Sequence, residues 1–558
     1  MKNNELTYSD LQKIVWMIAD KIRDKGRGNS NDYMAITVGT IFLKRLMDMR
    51  AEFKYRFVEA GTNENSYYEM SGSDIDEVIE NHQSLGDAFR VSPEGLWTYR
   101  IEWSDIANFA TNENFLDLTI PYGDGLGGKD LQTNVANKFV LLRDCLEAFS
   151  NEKIHEIFST FDFLPKIYGA NNRENILDAR DYEQIIEDLN QYNFGTKYAS
   201  QDIFADVYMD LLGRFAADNG KKGGEFFTPT PVVRGAIPFL EAEFKERRIM
   251  VADLASGACT FMVEFGNHYR KLMDAAIPND ADRDVNSYLQ FRTGEKDRTS
   301  HALGDANMLL HGHGDNHKSY HANSITEYEA HLGKETKGKV DVILANPPYG
   351  LKDYGHSEMS IEKSSRWLMG VPNKGDGEYA FLMTILDMLN DEGRAVVVMP
   401  LGTLFRDSTE SYRKRIIEND WLKAIIELPK GMFLTTPIPV CLWVIDKKKK
   451  PDDQGKVVFI NASQDFVKSG KINDWQPTNA VDAFLGRSDI DGYSRRVLSE
   501  EIARNKYNLT TGRYIQKNAI IENVDIKSTL AESNQLMKEI TAEMNELGYV
   551  FRAMTGEA

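Results

Sequence analysis

From about residue 249 onward, short apolar runs alternate with helical patterns, and this alternation constrains the fold of the 558-residue chain more than any other feature. Each run has the length and apolar character of a buried strand, and helical stretches such as 379–389 separate several of them. The pattern predicts an α/β fold in which helices cover both faces of a mostly parallel sheet. The predicted strands are 249–252, 340–345, 395–399, 424–426 and 440–445.

The first third of the chain is predicted to be mainly helical. Ser9 to Gln12 form a capping-box pattern, and apolar residues recur at helical spacing behind it. Further helices are expected at 32–50, 135–149, 182–189 and 203–215, and the glycine-rich stretch 123–128 is expected to be a surface loop. We therefore predict three units: a helical N-terminal domain at 1–175, a catalytic domain at 176–470 and a C-terminal region at 471–558.

The tetrapeptide Asn346-Pro347-Pro348-Tyr349 follows the predicted strand 340–345. The Asn346 side-chain oxygen and the Pro347 carbonyl are acceptors for the two N–H bonds of an amine on an aromatic base. Such an amine is a weak nucleophile because its lone pair is delocalised into the ring, and these contacts favour tetrahedral nitrogen. Tyr349 offers a flat face for stacking a base removed from a helix. The tetrapeptide thus indicates amino-group methylation, although a Pro-Pro turn that merely ends a strand is the structural alternative.

The net charge of -19 argues against a protein that grips nucleic acid with its own basic face. If the chain acts on DNA, a partner or a local basic path must supply the positive charge that contacts the phosphates. No apolar stretch is long enough to cross a bilayer and no signal-type core follows Met1, so we expect a cytoplasmic protein without membrane contact. Cys145, Cys259 and Cys441 are widely separated, which indicates neither a disulfide framework nor a zinc site.

Residues 248–261 have the order strand, acidic residue, loop of small side chains and helix start. Small side chains let the backbone approach a ligand at the carboxyl end of a strand, where open α/β sheets bind ligands. Asp253 suits a cationic amino group, and Glu295 is placed to accept hydrogen bonds from ribose hydroxyls. Residues 223–229 offer an aromatic ring and a hydroxyl to the same ligand.

Taken together, these motifs resemble, over nearly the whole chain, those of the modification (methyltransferase) subunit of type I restriction-modification systems. The resemblance implies a Rossmann-like sheet with an α-helical N-terminal domain and a helical C-terminal tail. It implies an enzyme that transfers a methyl group from S-adenosylmethionine to N6 of adenine in DNA. The stretches that carry it are 41–46, 223–229, 253–261, 294–295, 346–350, 378–381 and 428–433.

The resemblance also implies roles for single residues, and none of them is a metal ligand. The catalytic set, which handles a flipped adenine, is Asn346, Pro347, Pro348, Tyr349 and Phe433. The set that holds S-adenosylmethionine is Glu225, Phe227, Thr228, Pro229, Asp253, Ser256, Gly257, Glu295 and Asn323.

The C-terminal tail carries a narrow apolar stripe whose members fall at alternating spacings of four and three, with Ser533 at a polar seam position. Such a helix packs on its own chain or on another subunit. The resemblance implies a DNA-specificity subunit as that partner, two copies of this chain per complex and double-stranded DNA as substrate, and it leaves a restriction subunit open. The stripe consists of Ile526, Leu530, Met537, Ile540, Met544 and Leu547.

The chain departs from its relatives in the cofactor loop, which there commonly reads Asp-Pro-Ala-Cys-Gly-Thr-Gly. Cys259 stands where the second glycine would be, which narrows backbone freedom. Asn323 replaces an acidic residue, but its amide can still accept a hydrogen bond from the cofactor's adenine. A cluster of His311, His313, Asp315 and His317 is expected to be a polar loop, because methyl transfer from a sulfonium needs no metal.

Three alternatives remain open at this point. Similar tetrapeptides serve methyltransferases for ribosomal RNA or for protein glutamine. A self-contained restriction enzyme would need a nuclease domain, and fewer than about a hundred residues follow the predicted catalytic domain. A non-catalytic assembly subunit would explain the altered cofactor loop.

Overall fold

The computed structural model describes most of the chain with gaps, and the structural statements below concern these residues. They are 6–59, 152–168, 175–195, 198–199, 204, 207–208, 210–211, 228–278, 284–360, 364–367, 370–433, 438–469, 472–515, 530–531 and 533–544.

The N-terminal helix α1 (Tyr8–Lys25) begins one residue before the predicted cap. Thr7, not Ser9, is the N-cap, and it forms a reciprocal capping box with Asp10. The prediction of Ser9 was wrong. Asp10, at the third helical position, accepts a hydrogen bond from the backbone N–H of Thr7, which completes the capping box at Thr7. The predicted periodicity is confirmed, since one face of the helix is buried through Leu11, Ile14, Val15, Ile18, Ala19 and Ile22.

Within the described residues of the N-terminal half, four more helices follow, and their buried faces form one hydrophobic core with α1. The second helix is longer than predicted, and the third and fourth were not predicted. The helix expected at 182–189 is present, whereas the helix expected at 135–149, the loop at 123–128 and part of the stretch 203–215 lie outside the described residues. These helices are α2 (Ser30–Glu59), α3 (Glu152–Phe161), α4 (Pro165–Tyr168) and α5 (Ala179–Asn190).

All five predicted strands are present in a nine-stranded sheet, and a two-stranded hairpin (β9, β10) stands beside it. The sheet gains four strands that were not in the predicted set. The stretches 317–321 and 494–498 are polar strands at the two edges, and 289–295 alternates apolar and polar residues at its start, so these three lack a continuous apolar run. The apolar run at 457–460 was overlooked. The strands are β1 (Ile249–Asp253), β2 (Leu289–Glu295), β3 (His317–His321), β4 (Val340–Ala345), β5 (Leu389–Pro400), β6 (Leu422–Glu427), β7 (Val440–Asp446), β8 (Lys456–Asn461), β9 (Phe466–Ser469), β10 (Ile472–Trp475) and β11 (Ser494–Leu498).

The sheet order is β11-β8-β6-β7-β5-β4-β1-β2-β3. The half from β5 to β3 is entirely parallel, which confirms the prediction of a mostly parallel sheet. Strand β7 inserts antiparallel between β5 and β6, and β11 pairs antiparallel with β8 at one edge. The carboxyl ends of β4, β1 and β2 consequently lie side by side at one edge of the sheet.

Helices cover both faces of this sheet. Successive strand residues belong to different cores: Val251 and Leu344 pack in one, and Ala252 and Ile343 pack in the other. The sheet is therefore doubly covered, as the apolar runs predict. The helices are α6 (Thr230–Ala236), α7 (Thr260–Ala276), α8 (Arg298–Leu310), α9 (Leu332–Thr336), α10 (Gly377–Met388), α11 (Glu410–Glu418), α12 (Thr478–Leu485) and α13 (Ser499–Arg504).

The predicted domain boundaries at 175 and 470 stay predictions. The second of them falls between β8 and β11, which are neighbours in the same sheet. The helical core of the N-terminal half continues onto α8 through Leu303 and Leu310. Within the described ranges, no helix combines the length and the apolar character needed to cross a lipid bilayer.

The C-terminal segment 533–544 is helical and fully exposed. Its large apolar side chains have no core to cover, with 47% of Ile540 and 69% of Met544 exposed to solvent. Of the stripe predicted for this tail, Ile526 and Leu547 lie outside the described residues. The remaining members form a solvent-facing apolar surface.

Candidate active site

A cavity of about 410 Å³ opens at the carboxyl ends of β1, β2, β3 and β4. This is the edge where parallel α/β sheets bind ligands. The cavity brings together residues from seven separate stretches of sequence. Its lining includes eight of the predicted site residues: Thr228, Asp253, Ser256, Gly257, Glu295, Asn323, Asn346 and Pro348.

Asp253 ends β1 and is almost completely buried at the base of the cavity, with 1% of the residue exposed. Its Oδ1 accepts a hydrogen bond of 2.9 Å from the backbone N–H of Ala255. Burial, with a smaller contribution from the charge of Glu295, raises the pKa of the Asp253 carboxyl to about 8. A buried carboxylate without a cationic neighbour is costly, so this end of the cavity favours a cationic ligand group.

Glu295 ends β2 and holds the loop that follows β1. One carboxylate oxygen accepts a hydrogen bond of 2.9 Å from Gly257 N–H, and the other accepts one of 2.8 Å from Asp297 N–H. Burial raises the pKa of the Glu295 carboxyl. The residue that was predicted to bind ribose therefore also fixes the cofactor loop.

Cys259 retains the backbone conformation that a glycine would adopt. Its φ is 58°, in the left-handed region that side chains with a Cβ disfavour by roughly 1–2 kcal/mol. Gly257 in the same loop has φ 50°, where glycine carries no such cost. The loop thus keeps its shape despite the substitution, and the cost appears as backbone strain at Cys259.

Asn323 lines the cavity after β3, but its side-chain oxygen is already engaged. It accepts hydrogen bonds of 3.0 Å from Ile325 N–H and 3.3 Å from Thr326 N–H, so it caps the turn. Its predicted contact with the cofactor's adenine stays a prediction.

Asn346 lies at the carboxyl end of β4, and both ends of its amide contact protein groups. Its Nδ2 donates a hydrogen bond of 3.1 Å to Thr228 Oγ1, and the hydroxyl of Tyr349 donates one to Asn346 Oδ1. Burial raises the pKa of the Tyr349 hydroxyl, which keeps it a donor. The acceptor that the motif offers to an amine is therefore occupied by the motif's own tyrosine.

A buried carboxylate supports this motif from behind. Glu378, at the start of α10 and 1% exposed, accepts a hydrogen bond of 3.0 Å from Gly350 N–H. Its other oxygen accepts one of 3.3 Å from Arg406, which also lies 3.5 Å from Asp376. Gly350 has φ 63°, so the turn after Tyr349 favours glycine. Glu378 therefore links that turn to helix α10 and to the guanidinium group of Arg406.

The remaining predicted residues lie around the cavity or outside the described ranges. Phe433 is 8% exposed and packs in the same hydrophobic core that Tyr349 contacts, while Pro347 is buried. Pro229 is the N-cap of α6 directly after Thr228. Glu225 and Phe227 lie outside the described residues.

The prediction did not include several residues that line the cavity. Phe381 on α10 and Leu254, Ile325 and Leu351 provide apolar surface, and Lys296 adds a cation. Phe381 belongs to the stretch 378–381, so an aromatic residue within a recognised motif was the available signal. The others are ordinary apolar or charged residues with no distinguishing local pattern.

In the stretch predicted to be a polar loop, His311, His313 and His317 are buried, whereas Asp315 is exposed. Each ring contacts a different partner: Asn307 O, Asn286 Oδ1 and Thr293 Oγ1, respectively. Burial lowers the pKa of His313 to about 3, so its ring is neutral. Within the described ranges these histidines do not converge on a common ion.

Comparisons with known proteins find relatives over most of the chain. The model of the N-6 DNA methylase family matches residues 199–523, and the model of the HsdM N-terminal domain matches residues 11–179. The MpnII methylase subunit of a type I restriction enzyme from Mycoplasma pneumoniae is 24% identical over 93% of this chain and 91% of its own length. The MjaVII methylase subunit of Methanocaldococcus jannaschii is 28% identical over 75% of this chain and 68% of its own length.

A solved structure shares the fold. The methyltransferase subunit of a type I restriction-modification system from Streptococcus thermophilus superposes with a TM-score of 0.71 at 22% identity, covering 92% of this chain and all of that one.

Proposed function

This chain belongs to the N-6 DNA methylase family, and we propose from the site geometry how its residues divide the methyl transfer among them. The protein is the adenine-specific DNA methyltransferase subunit of a type I restriction-modification system, and it uses S-adenosylmethionine. The observation that carries the assignment of roles is the shared cavity, which places Asp253 and Glu295 beside Asn346.

The cofactor half of the cavity fits S-adenosylmethionine. Asp253 is a buried carboxyl whose raised pKa calls for a cationic partner, which the amino group of the methionine moiety provides. Glu295 accepts hydrogen bonds from ribose hydroxyls, and Ser256 and Gly257 let the backbone approach the ligand. Bound S-adenosylmethionine supplies an electrophilic methyl group.

The base half of the cavity handles the adenine. Asn346 Oδ1 and the Pro347 carbonyl accept the two N6–H bonds, which withdraws the nitrogen lone pair from ring conjugation. Tyr349 and Phe433 stack on the faces of the flipped base, and Pro348 shapes the turn between them. Because Tyr349 donates to Asn346 Oδ1, one of the two lone pairs of that oxygen is already in use when the adenine binds. N6 loses its proton as or after the methyl arrives, so no strong base is needed.

Partner binding is proposed from the exposed C-terminal segment 533–544. A DNA-specificity subunit fits this surface because Leu536, Met537, Ile540 and Met544 are more than 45% exposed and follow a helical stripe. The net charge of -19 also favours a partner that supplies the positive charge for DNA binding. We extend the proposal to two copies of this chain per specificity subunit, acting on double-stranded DNA.

The experiment is transfer of labelled methyl from S-adenosylmethionine to unmethylated DNA, with and without the co-expressed specificity subunit. We expect partner-dependent N6-methyladenine that disappears in Asn346→Ala. The matched control is Asn419→Ala, an exposed amide at the opposite edge of the sheet. Equal activity of Asn346→Ala and wild type would refute the catalytic role, and no transfer by the intact complex would favour a non-catalytic assembly subunit.

A further inference from the structure

We propose that Glu156, His301 and Asp305 form a binding site for a divalent cation of the zinc class. The three side chains lie outside the cavity, on two helices from different parts of the chain. Glu156 is on α3 of the helical N-terminal half, and His301 and Asp305 are on α8 next to the sheet. Their ligand atoms all lie within 4.8 Å of one another.

The spacing of these atoms fits common ligands of an ion better than hydrogen bonds. His301 Nδ1 lies 3.7 Å from Glu156 Oε1 and 3.8 Å from Asp305 Oδ2, both beyond hydrogen-bond distance. Two ligands of a tetrahedral zinc ion are about 3.3–3.5 Å apart, given metal–ligand bonds of about 2.0–2.1 Å. A contraction of a few tenths of an ångström would bring His301 Nδ1 to that distance from each of the two carboxylate oxygens. His301 and Asp305 are four residues apart on one helix, so the backbone already places them on the same face.

The burial of His301 is the second observation. Its side chain is 5% exposed, and its Nδ1 faces the two carboxylates. Buried polar groups are normally paired, and because neither Nδ1 contact is within hydrogen-bond distance, a cation shared by the three groups would complete their pairing. The adjacent Asp305 carboxylate is 2% exposed, and a cation would offset the cost of burying its charge.

A residue that can orient one of the proposed ligands lies beside Asp305. His317 Nδ1 lies 3.5 Å from Asp305 Oδ1, and its Nε2 is hydrogen-bonded to Thr293 Oγ1 at 2.7 Å. Thr293 belongs to β2, two residues before Glu295. Partners of this kind orient the ligands of metal sites. One nitrogen and two carboxylate oxygens suit Zn²⁺ or Co²⁺.

The cation would join two parts of the molecule. Helices α3 and α8 are in direct contact, and α8 also packs behind the cofactor loop. A Cβ on Gly304 of α8 would lie 2.7 Å from Cys259 Sγ, which shows how closely the loop and helix approach. A bound ion would therefore fix the helical N-terminal half against the cofactor site. The sequence-based expectation of no metal concerned the chemistry of methyl transfer, which this site leaves unchanged.

The test is metal binding by the full-length chain after treatment with a chelator and removal of any affinity tag. Zn²⁺ affinity is measured by competition with a chromogenic chelator, and Co²⁺ is added as a spectroscopic probe of tetrahedral geometry. We expect one ion per chain, and at least tenfold weaker binding in Glu156→Gln. Because Glu156 is 48% exposed, this variant should fold normally.

Glu187→Gln, an exposed carboxylate on α5, is the matched control and should bind the ion as wild type does. Zn²⁺ should raise the melting temperature of wild type and of the control but not that of Glu156→Gln. Wild type that binds no ion, or equal affinity in Glu156→Gln and wild type, would overturn the proposal. Neither readout depends on methyl transfer.

Discussion

The two halves of the cavity differ in how ready they are for their ligands. In the cofactor half, Asp253 and Glu295 are held by backbone N–H groups, and their carboxyl groups line open space. In the base half, both polar ends of the Asn346 amide contact the protein's own Thr228 and Tyr349. The cofactor half is open to a ligand, whereas the polar groups of the base half are hydrogen-bonded to one another.

Under the proposed function, binding of the cofactor and binding of the base therefore depend on different features of the cavity. The cofactor half only needs a cation to offset a buried carboxyl. In the base half the Tyr349 hydroxyl already uses one lone pair of Asn346 Oδ1, so an adenine flipped from DNA would either bind the second lone pair or displace the hydroxyl through its own hydrogen bonds and stacking. Substitutions in one half should therefore leave the other half's ligand largely unaffected.

Asn346→Ala tests the base half most severely. We expect the rate of methyl transfer to fall by about 10²–10³-fold, because removal of one polarising group at a reacting centre typically has that effect. Affinity for S-adenosylmethionine should change by less than about threefold. Single-turnover methylation and calorimetric titration provide the two numbers, and an equal loss in both would abolish the comparison.

Asp253→Asn tests the cofactor half. We expect affinity for S-adenosylmethionine to fall by about 10–100-fold, since a charge-assisted hydrogen bond contributes about 1.5–3 kcal/mol. The transfer rate at saturating cofactor should stay within about threefold of wild type. Calorimetric titration checks the affinity, and a variant that binds normally but transfers slowly would place Asp253 in the wrong half.

The same variant makes a prediction about pH. The native pKa of Asp253 is raised from 3.8 to about 8, so the folded state favours the protonated carboxyl. Its contribution to stability is complete below about pH 4 and is lost as the pH rises through about 8. Without cofactor, the melting temperature of wild type minus that of Asp253→Asn should therefore decrease from pH 5 to pH 8. A constant difference across this range would contradict the raised pKa.

Two substitutions of Tyr349 separate stacking by its ring from the hydrogen bond that its hydroxyl donates to Asn346 Oδ1. Tyr349→Ala should slow transfer by about 10–100-fold, because a base–aromatic stack contributes about 1–3 kcal/mol. Tyr349→Phe keeps the ring and removes the hydroxyl that occupies Asn346 Oδ1, so its rate should stay within about threefold of wild type. Base flipping is followed with 2-aminopurine at the target position. Equal losses in the two variants would mean that the hydroxyl, not the ring, is required.

Glu378 tests whether the base half depends on its support. Glu378→Ala removes the acceptor for Gly350 N–H and should lower kcat by about tenfold through misplacement of the Asn346 turn. Glu378→Gln keeps an acceptor and should recover most of that loss. Rates are compared at saturating cofactor and DNA. If both variants lose stability alike and neither changes kcat after correction for the folded fraction, Glu378 has only a structural role.

Cys259→Gly is the smallest change. Glycine at φ 58° relieves roughly 1 kcal/mol of backbone strain, and loss of a buried side chain against Gly304 offsets it. We expect affinity for S-adenosylmethionine to change by less than about threefold. Calorimetry on the purified variant checks this, and a tenfold gain would show that the substituted loop limits the cofactor half.

Sequence patterns predicted five strands of the sheet and eight of the residues that line the cavity, but not the contacts among them. The strand that ends at Asp253 and the turn that begins at Asn346 were recognisable because apolar runs and proline act locally. The Thr7 cap, the antiparallel insertion of β7 and the support from Glu378 were not. Each of these depends on which of several chemically similar groups comes within hydrogen-bond distance.

The sequence by itself determined the α/β class, the buried strands and the family to which the chain belongs, because periodicity and short motifs are properties of neighbouring residues. Only the tertiary structure decided that Asn346 Nδ2 donates a hydrogen bond to Thr228, 118 residues away, and that the Tyr349 hydroxyl donates one to Asn346 Oδ1. It also decided that Glu156 meets His301. These pairs form because packing of the helices and the sheet brings distant residues together, and no local pattern encodes which residues will meet.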